Sequence, residues 1–569
     1  MAAATFGSVP SIKAYGKVNE ADQERLEARQ RTRKRIVIIS LSTVILVAVI
    51  VAAVLGTGHG SSDGKSKSAD PGPNSLSTSI KAVCQLTQYP DSCHESLSHA
   101  DITGKVDPQS LFQLSMQVAM DAILKASKVL QKLGASPALA DCQELLDLAV
   151  DQINGSLSTP HITLPEAVED LKTWLSAAGT YLDTCVDGFG NTTEQYQVHV
   201  AETLKNSTEF TSNSLAILSG IFNVLDSFKM RRLMSHPSDE LPYWMSSKDR
   251  KLLQSSDRRK TANIVVAKDG SSRYKTIKAA LEAVPDKSKD RFIIYVKKGI
   301  YNENVRVEKS KWNVMMVGDG KDATRVSGSE NFVDGTPTFQ TATFAVFGRG
   351  FIASDMGFFN TAGASKHQAV ALMTDSDQSI YYRCRVDAYQ DSLYVHSLRQ
   401  FFRECDIYGT VDFIFGNAAA VLQNCNIRPR VPMKGQQDTI TAQGKVDPNQ
   451  NTGISIHNCS ITPFGNMTSV RTYLGRPWKA YSTTIFMKSM LDKIIDPTGW
   501  MPWTGTSAPD TIFYAEFQNY GPGSSTKDRV KWKGLRFIKD KQAQKFTVKS
   551  FIHGDKWISK AGVKFTSGL

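Results

Sequence analysis

Two aspartates occupy the same position in successive copies of a degenerate repeat. Four segments share the order apolar, any, polar, cysteine, any, apolar, and their cysteines are Cys384, Cys405, Cys425 and Cys459. Asp391 follows Cys384 by seven residues, and Asp412 follows Cys405 by seven residues. If these copies stack as neighbouring strands about 4.8 Å apart, the two carboxyl groups lie side by side.

Two adjacent carboxyl groups do not both ionise cheaply, so the pKa of one rises while that of the other falls. One can then act as an acid while its neighbour acts as a base or nucleophile. Gln390 precedes Asp391, and Gln368 lies 23 residues before Asp391, about one repeat earlier. Their amides could donate hydrogen bonds to an oxyanion without adding charge.

Two further side chains fit the same site. Arg476 offers a bidentate donor that could hold one carboxylate ionised and oriented, and Trp478 offers an apolar face on which a sugar ring could stack. Asp438 lies in a Gln-Asp-Thr triplet that imitates Gln-Asp-Ser at 390–392, but it follows Cys425 by 13 residues. Because it is out of phase with the pair, we interpret Asp438 as structural.

The same repeat predicts the architecture that positions these residues. Self-similarity near 20 residues in a stretch rich in Val, Ile and Phe is typical of a parallel β-helix. Between residues 80 and 230 the apolar residues recur at helical spacing, for example at Leu111, Leu114 and Val118. We therefore expect an all-β right-handed parallel β-helix at 261–569, preceded by an all-α antiparallel four-helix bundle at 79–230.

The N-terminal region predicts one transmembrane helix. Residues 36–55 carry no charge and follow a basic stretch, so they are long enough to span a bilayer with residues 1–35 on the cytoplasmic side. A cleavable signal peptide would have a shorter apolar core nearer the terminus, and a buried core helix would be less uniformly apolar. We interpret 36–55 as a signal anchor and the Gly, Ser, Lys and Pro-rich residues 56–78 as a flexible stalk.

A polar, charged stretch at residues 231–260 separates the two expected domains. It contains two basic tetrapeptides, which begin at Arg231 and Arg250 and end at Met234 and Leu253. Paired basic residues are commonly no more than solvated surface. Their position between two domains of a secretory chain favours a linker that a processing protease cuts.

Residues beyond 55 should face an oxidising compartment, where disulfides persist. Four cysteines of the bundle allow three pairings, and proximity favours Cys84 with Cys93 and Cys142 with Cys185. N-x-S/T triplets, which are candidate glycosylation sites, begin at Asn154, Asn191, Asn206, Asn458 and Asn466.

Charge divides unevenly along the chain. The whole sequence has 67 Lys and Arg against 55 Asp and Glu, a net charge of +12. From residue 254 onward the count is 44 against 28, or +16, which leaves −4 for the preceding residues. A basic extracellular domain suits an acidic polysaccharide or a membrane surface better than nucleic acid, although a solvated basic surface without a partner gives the same count.

Five motifs carry a resemblance to a known family. They are Gly-Ile-Tyr-Asn-Glu at 299–303, Gln-Ala-Val-Ala-Leu at 368–372, Gln-Asp-Ser-Leu at 390–393, Asp-Phe-Ile-Phe-Gly at 412–416 and Leu-Gly-Arg-Pro-Trp at 474–478. In this order they resemble the signature motifs of plant pectin methylesterases, from about residue 263 to the C-terminus. The helical region, from residue 83, resembles the pectin methylesterase and invertase inhibitor domain. Together they are similar to a precursor in which an inhibitor-like pro-region precedes the enzyme.

The resemblance implies a role for each candidate. Asp412 would be the nucleophile that attacks the methyl ester carbonyl of a galacturonate unit. Asp391 would protonate the leaving methanol and then activate the water that hydrolyses the acyl-enzyme. Gln368 and Gln390 would stabilise the oxyanion, and Arg476 would position Asp412 and the substrate. No cofactor and no metal are expected.

The resemblance also implies substrate contacts by Thr338 and Trp478 and a disulfide between Cys405 and Cys425. The expected partners are anionic pectin, the processing protease, a possible proteinaceous inhibitor and, through the N-terminal anchor, a membrane. Nucleic acid is not an expected partner. The precursor would be anchored in the secretory pathway, and the mature enzyme would act in the extracellular cell wall.

Other functions of the same fold fit the sequence less well. A polygalacturonase would carry Asn-Thr-Asp and Gly-His-Gly motifs, but Asn360 and Thr361 are followed by Ala362, and the Gly-His-Gly at 58–60 lies beside the predicted anchor. A pectate lyase would need an acidic calcium-binding cluster. A wall-binding protein with an inactive enzyme domain would not need all five motifs.

Overall fold

The computed structural model of the protein describes residues 76–98, 108–134, 136–159, 165–190, 194–229 and 261–569. The predicted cytoplasmic tail (1–35), transmembrane segment (36–55), most of the stalk (56–78) and the processing linker (231–260) lie outside the described residues. Within those described stretches, no helix combines the length and the apolar character needed to cross a membrane.

Helices make up the N-terminal part that the structure describes: α1 Leu76–Cys84, α2 Pro90–Ser98, α3 Pro108–Leu130, α4 Pro137–Leu157, α5 Pro165–Asp187 and α6 Glu194–Lys229. The four long helices α3 to α6 pack in a ring, in which each contacts its two neighbours. Local sequence sets their ends: Ser136 caps α4 by accepting a hydrogen bond from the Leu139 amide, and Pro137 occupies the first turn. The first helix begins at Leu76, inside the predicted stalk.

Two disulfides hold this helical part together. Cys84 pairs with Cys93 and links α1 to α2, with Cα atoms 5.5 Å apart. Cys142 pairs with Cys185 and links α4 to α5, with Cα atoms 4.4 Å apart. These are the pairings that sequence proximity favoured among the three possible ones.

The remainder of the described chain is built mainly from short strands. They are β1 Ile264–Val266, β2 Phe292–Val296, β3 Gly299–Asn302, β4 Val305–Val307, β5 Val314–Val317, β6 Thr324–Gly328, β7 Phe344–Val346, β8 Ile352–Ser354, β9 Gly357–Asn360, β10 Leu372–Thr374, β11 Ser379–Tyr382, β12 Arg385–Asp387, β13 Leu393–Val395, β14 Arg399–Arg403, β15 Asp406–Gly409, β16 Ile414–Gly416, β17 Ala419–Gln423, β18 Asn426–Pro429, β19 Asp438–Gln443, β20 Gly453–His457, β21 Ser460–Ile461, β22 Thr472–Gly475, β23 Thr483–Met487, β24 Met490–Leu491, β25 Phe513–Phe517 and β26 Leu535–Phe537.

The strands form three parallel sheets. The first sheet has the order β1-β2-β5-β8-β11-β14-β17-β20-β23-β25-β26, the second β24-β21-β18-β15-β12-β9-β6-β3, and the third β22-β19-β16-β13-β10-β7-β4. Successive strands of the chain therefore visit the three sheets in turn, and each turn stacks on the previous one. This confirms the predicted parallel β-helix; its right-handed sense stays a prediction.

The interior of the β-helix contains stacked apolar side chains. Short helices pack at its ends and sides: α7 Ile277–Glu282, α8 Asp540–Ala543, α9 Val548–Ile552 and α10 Ile558–Ala561. Ile277 and Leu281 of α7 join the interior core. Val548 of α9 and Ile558 of α10 pack on the outer face of the first sheet, in a cluster with Phe401.

The predicted disulfide between Cys405 and Cys425 is wrong, because both residues are free, buried thiols in the structure. Their flanking residues Asp406 and Asn426 are register partners, so the two side chains project in parallel from neighbouring strands. Strand spacing of about 4.8 Å exceeds the separation of about 3.8 Å that a disulfide requires between Cβ atoms. Burial raises the pKa of both thiols well above its ordinary value.

The helical bundle packs on the outer face of the third sheet. Register places one outward residue from each of six of the seven strands in a row across that sheet: Arg306, Ala345, Met373, Tyr394, Phe415 and Ala442. The apolar members of this row share one buried cluster with the core of the helices. The face of the β-helix beside the catalytic candidates is thus covered by the N-terminal bundle.

Candidate active site

Asp391 and Asp412 lie in equivalent turns between the second and third sheets. Leu393 and Ile414 are register partners, which places the two aspartates beside each other two residues earlier on adjacent strands. Both have left-handed backbones, with φ of 62° at Asp391 and 53° at Asp412. Aspartate tolerates this conformation better than most residues, and the two residues are only 7% and 5% exposed. The structure therefore brings together the pair predicted from the repeat.

Arg476 and Thr439 hold the carboxylate of Asp412. Arg476 donates from Nε to Oδ1 at 2.8 Å and from Nη2 to Oδ2 at 2.7 Å. The Thr439 hydroxyl donates to Oδ1 at 2.6 Å and accepts from the Asp412 backbone amide at 2.8 Å. A two-pronged guanidinium contact favours the ionised carboxylate. These contacts fix the Asp412 carboxylate in one orientation.

Asp391 has the opposite environment. Burial raises its pKa well above the ordinary value, the adjacent Asp412 raises it further, and Arg476 opposes the shift. A carboxyl group in this position keeps its proton while its neighbour is ionised. The two carboxyl groups of the pair therefore lie in different electrostatic environments.

Gln368 and Gln390 are half-buried beside the pair. Their backbones form a parallel bridge, which places both amides at the same edge of the third sheet. Both side chains line the cavity that contains Asp391 and Asp412. The structure therefore brings Gln368 and Gln390 into the same cavity as the aspartate pair.

The cavity above the aspartates has a volume of about 620 Å³. Thr338 and Trp478, the predicted substrate contacts, line it. Tyr394 and Phe415 stack with their ring centroids 4.1 Å apart, and the Trp478 ring lies 6.2 Å from that of Phe415. A row of aromatic faces beside polar groups suits a sugar chain, whose rings present apolar surfaces.

Sequence reasoning missed two residues of this site. Thr439 contacts Asp412 directly, although its triplet looked like a copy of the catalytic one. Trp503 lines the cavity, and the Arg476 guanidinium lies 4.3 Å from its ring centroid. Thr439 could have been identified from the register of β16 with β19, because that register places Thr439 beside Asp412. Asp438 itself is fully buried, and burial raises its pKa to about 8.

The helical bundle forms the opposite wall of the cavity. Asp141, Cys142, Leu145, Thr184 and Asp187 line it from the bundle side. Contacts between the two domains surround this wall and include Asp141 with Gln340, Tyr181 with Asp375, Thr184 with His396, Glu144 with Arg306, Asp151 with Lys309, Asp170 with Arg399, and both Asp183 and Asp187 with Lys479. Acidic residues of the bundle thus meet basic residues of the β-helix domain.

Four of the five predicted glycosylation asparagines are exposed in the structure: Asn154, Asn206, Asn458 and Asn466. Asn191 lies outside the described residues. An exposed acceptor is accessible, but exposure does not test whether a sugar is attached. Glycosylation at these sites stays a prediction.

Comparison with known proteins shows the family and agrees with the fold. The Pectinesterase family model matches residues 263–555, and the model for plant invertase/pectin methylesterase inhibitors matches residues 78–217. A relative from Arabidopsis thaliana in the pectinesterase/pectinesterase inhibitor series is 54% identical over 569 residues, which cover 98% of this chain and 99% of the relative. Pectinesterase 3 of Phaseolus vulgaris is 49% identical over 586 residues, which cover 99% of this chain and 100% of that relative.

A solved structure supports the same assignment for the β-helix domain. Pectin methylesterase from carrot is 52% identical, with a TM-score of 0.54, and the match covers 54% of this chain and 98% of the carrot chain. The carrot enzyme therefore corresponds to the β-helix domain alone. The chain belongs to the pectinesterase family, with an N-terminal domain of the pectin methylesterase inhibitor type.

Proposed function

We propose that the chain hydrolyses the methyl esters of pectin through a covalent intermediate on Asp412. The observation that supports this most strongly is the division of roles within the aspartate pair. Arg476 and Thr439 donate hydrogen bonds to the Asp412 carboxylate, whereas burial and the adjacent Asp412 raise the pKa of Asp391 well above its ordinary value. An esterase that uses a carboxylate nucleophile needs this combination.

In the first step, an Asp412 oxygen attacks the carbonyl carbon of a methyl-esterified galacturonate unit. The carbonyl oxygen becomes an oxyanion, to which the amides of Gln368 and Gln390 donate hydrogen bonds. The bond to the methoxy oxygen then breaks, and that oxygen takes the proton of Asp391. Methanol leaves, and the galacturonoyl group remains joined to Asp412 as a mixed anhydride.

In the second step, water completes the reaction. Asp391, now ionised, takes a proton from a water molecule that attacks the galacturonoyl carbon. The bond to Asp412 breaks, and Asp412 leaves as the carboxylate that Arg476 binds. The product is a free galacturonate carboxyl group, and Asp391 carries its proton again. Ester and water have become acid and methanol, without any other reactant.

Substituting Asp391 tests the proton transfer. Asp391→Asn should lower methanol release from highly methylated pectin by about 10²–10⁴-fold, because methoxide is a poor leaving group without a proton donor. In the wild type, activity should also fall as the pH rises through the raised pKa of Asp391, since only the protonated form donates. Initial methanol release between pH 5 and 9 measures both. Activity of the Asn variant within about threefold of wild type would remove Asp391 from the mechanism.

The wider proposal covers the whole chain. Residues 36–55 anchor the precursor, the bundle inhibits the enzyme, and cleavage within 231–260, at Met234 or Leu253, releases the β-helix domain into the cell wall. Both basic tetrapeptides lie between the two matched domains, which supports cleavage in this linker. N-terminal sequencing of the enzyme extracted from walls should give a start within 235–260. A start upstream of residue 230 would contradict cleavage in this linker.

A further inference from the structure

Arg529 and Glu516 form a buried ion pair near the C-terminal end of the β-helix. Arg529 donates from Nε to Oε1 of Glu516 at 2.9 Å and from Nη2 to Oε2 at 3.1 Å. The two side chains are only 1% and 3% exposed, and neither residue is among those that line the cavity. A buried ion pair commonly adds little net stability compared with apolar side chains. The contacts of this pair with the neighbouring backbone therefore indicate its role.

Both members of the pair hold the connection between β24 and β25. Nη1 of Arg529 donates to the Pro497 carbonyl at 3.0 Å. The indole Nε1 of Trp500 donates to Oε1 of Glu516 at 3.2 Å. A Cβ atom at Gly499, whose φ is 73°, would overlap Cδ of Arg529, so the chain passes directly over the arginine side chain. This stretch of backbone is thus fixed on the ion pair.

The same stretch of backbone lies beside β22 and holds the residue that precedes Arg476. Gly475 and Trp500 form a parallel bridge. The Met501 amide donates to the Gly475 carbonyl at 3.0 Å, and Arg476 follows Gly475 directly. The backbone that carries Arg476 is therefore hydrogen-bonded to the backbone that the ion pair anchors.

The connection also places Trp503 against the Arg476 guanidinium. The guanidinium lies 4.3 Å from the Trp503 ring centroid. On its far side, the same guanidinium donates two hydrogen bonds to Asp412. A planar guanidinium that is stacked on a ring and paired with a carboxylate has little freedom to rotate. One connection thus restrains Arg476 at both its backbone and its charged end.

We propose that Arg529 and Glu516 are positioning residues of the esterase. By anchoring residues 497–503, they hold Arg476 in the orientation that binds the Asp412 carboxylate. The inference rests on the proposed esterase function. Without the pair, the connection loses its polar anchors, and the guanidinium no longer meets the carboxylate in a single geometry. A displacement of about 1 Å at a reacting group can lower the rate about 10²-fold, even when the substituted residue is remote.

The test uses the separated β-helix domain, a type of domain that the carrot enzyme shows as an independent chain. Arg529→Gln should lower kcat for methanol release from highly methylated pectin about 10–100-fold, with a smaller change in KM. Because Arg476 opposes the upward pKa shift of Asp391, a displaced Arg476 should also move the alkaline limb of activity to higher pH. A loss of stability alone would lower the amount of active enzyme without moving that limb.

A second variant covers the case in which Arg529→Gln fails to fold. Arg529→Met combined with Glu516→Leu leaves no buried charge unpaired, but the connection still loses its polar anchors. This double variant should show the same loss of kcat and the same shift of the alkaline limb. Arg383→Gln is the control, because Arg383 makes a bidentate pair with Asp355 elsewhere in the same domain; it should change neither value.

The outcomes separate the positioning role from the esterase function. Wild-type kcat in the double variant would overturn the positioning role, and so would a lower kcat with an unchanged pH profile. No methanol from the wild-type domain would instead overturn the esterase function itself.

Discussion

Asp412→Asn should lower methanol release from highly methylated pectin by about 10⁴-fold, the scale on which loss of a nucleophile or its essential partner reduces turnover. Asparagine keeps the shape of the side chain but carries no charge and attacks a carbonyl poorly. It also cannot accept both prongs of the Arg476 guanidinium as a carboxylate does. The loss should appear in kcat, because the substituted group acts on the reacting carbon. Methanol release by the separated β-helix domain measures it.

Asp438→Asn is the matched control for Asp412→Asn. Like Asp412, Asp438 is a buried aspartate. It lies in a Gln-Asp-Thr triplet and is not among the residues that line the cavity. Its pKa of about 8 means that it is mostly uncharged at neutral pH, so the amide resembles the native state. This variant should retain activity within about threefold. If Asp438→Asn lost as much activity as Asp412→Asn, the assignment of Asp412 as the nucleophile would be contradicted.

Separating the bundle from the β-helix domain should raise methanol release from pectin by at least about 100-fold. The bundle forms one wall of the cavity and covers the aromatic row, so a polymer cannot lie along that face. A tethered domain has an effective concentration of about 1 mM, so an affinity of only about 10 μM already leaves about 1% of the chains open. The comparison is between intact chains and chains cut within 231–260 and then resolved by chromatography.

Rebinding of the separated bundle should be tighter at pH 5 than at pH 7. Burial raises the pKa of Asp141 and of Asp183 to about 6. Since these two groups hold protons more tightly when buried, they strengthen docking as the pH falls from about 6 towards the ordinary value of 3.8. The pKa of Glu169, which burial alone would raise, is lowered overall with a hydrogen bond to His553 across the interface, so this single group acts in the opposite direction. Titrating the free domain with added bundle at each pH measures this.

For the comparison of intact and separated chains, equal activity of the two would contradict a blocking role of the bundle.

The sequence predicted that Asp391 and Asp412 form a pair because a β-helix converts sequence phase into spatial register. Each coil returns to the same sheet, so residues equidistant from Cys384 and Cys405 must lie on adjacent strands, as Asp391 and Asp412 do. Phase also excluded Asp438. The roles within the pair did not follow from spacing; they came from the family resemblance, and the hydrogen bonds of Arg476 agree with them.

Other features could not be predicted because they depend on long-range packing. The partners Thr439 and Asp412 are 27 residues apart, and an irregular connection between β18 and β19 obscures their alignment in sequence. Docking of the bundle joins residues nearly 300 positions apart, such as Asp183 and Lys479. The net charge of each region does not specify which faces meet. Whether Cys405 and Cys425 form a disulfide depends on the direction of their side chains, which sequence spacing does not give.

The most direct test of the account is to trap the acyl group on Asp412. The Asp391→Asn variant is mixed with a 4-nitrophenyl ester of an oligogalacturonide, whose leaving group needs no proton, while hydrolysis of the intermediate still lacks its base. If Asp412 is the nucleophile, a burst of nitrophenol equal to the enzyme concentration is expected. Mass spectrometry of the quenched protein should then find the galacturonoyl group on the peptide that contains Asp412. Steady release without a burst, or an acyl group on another residue, would contradict the account.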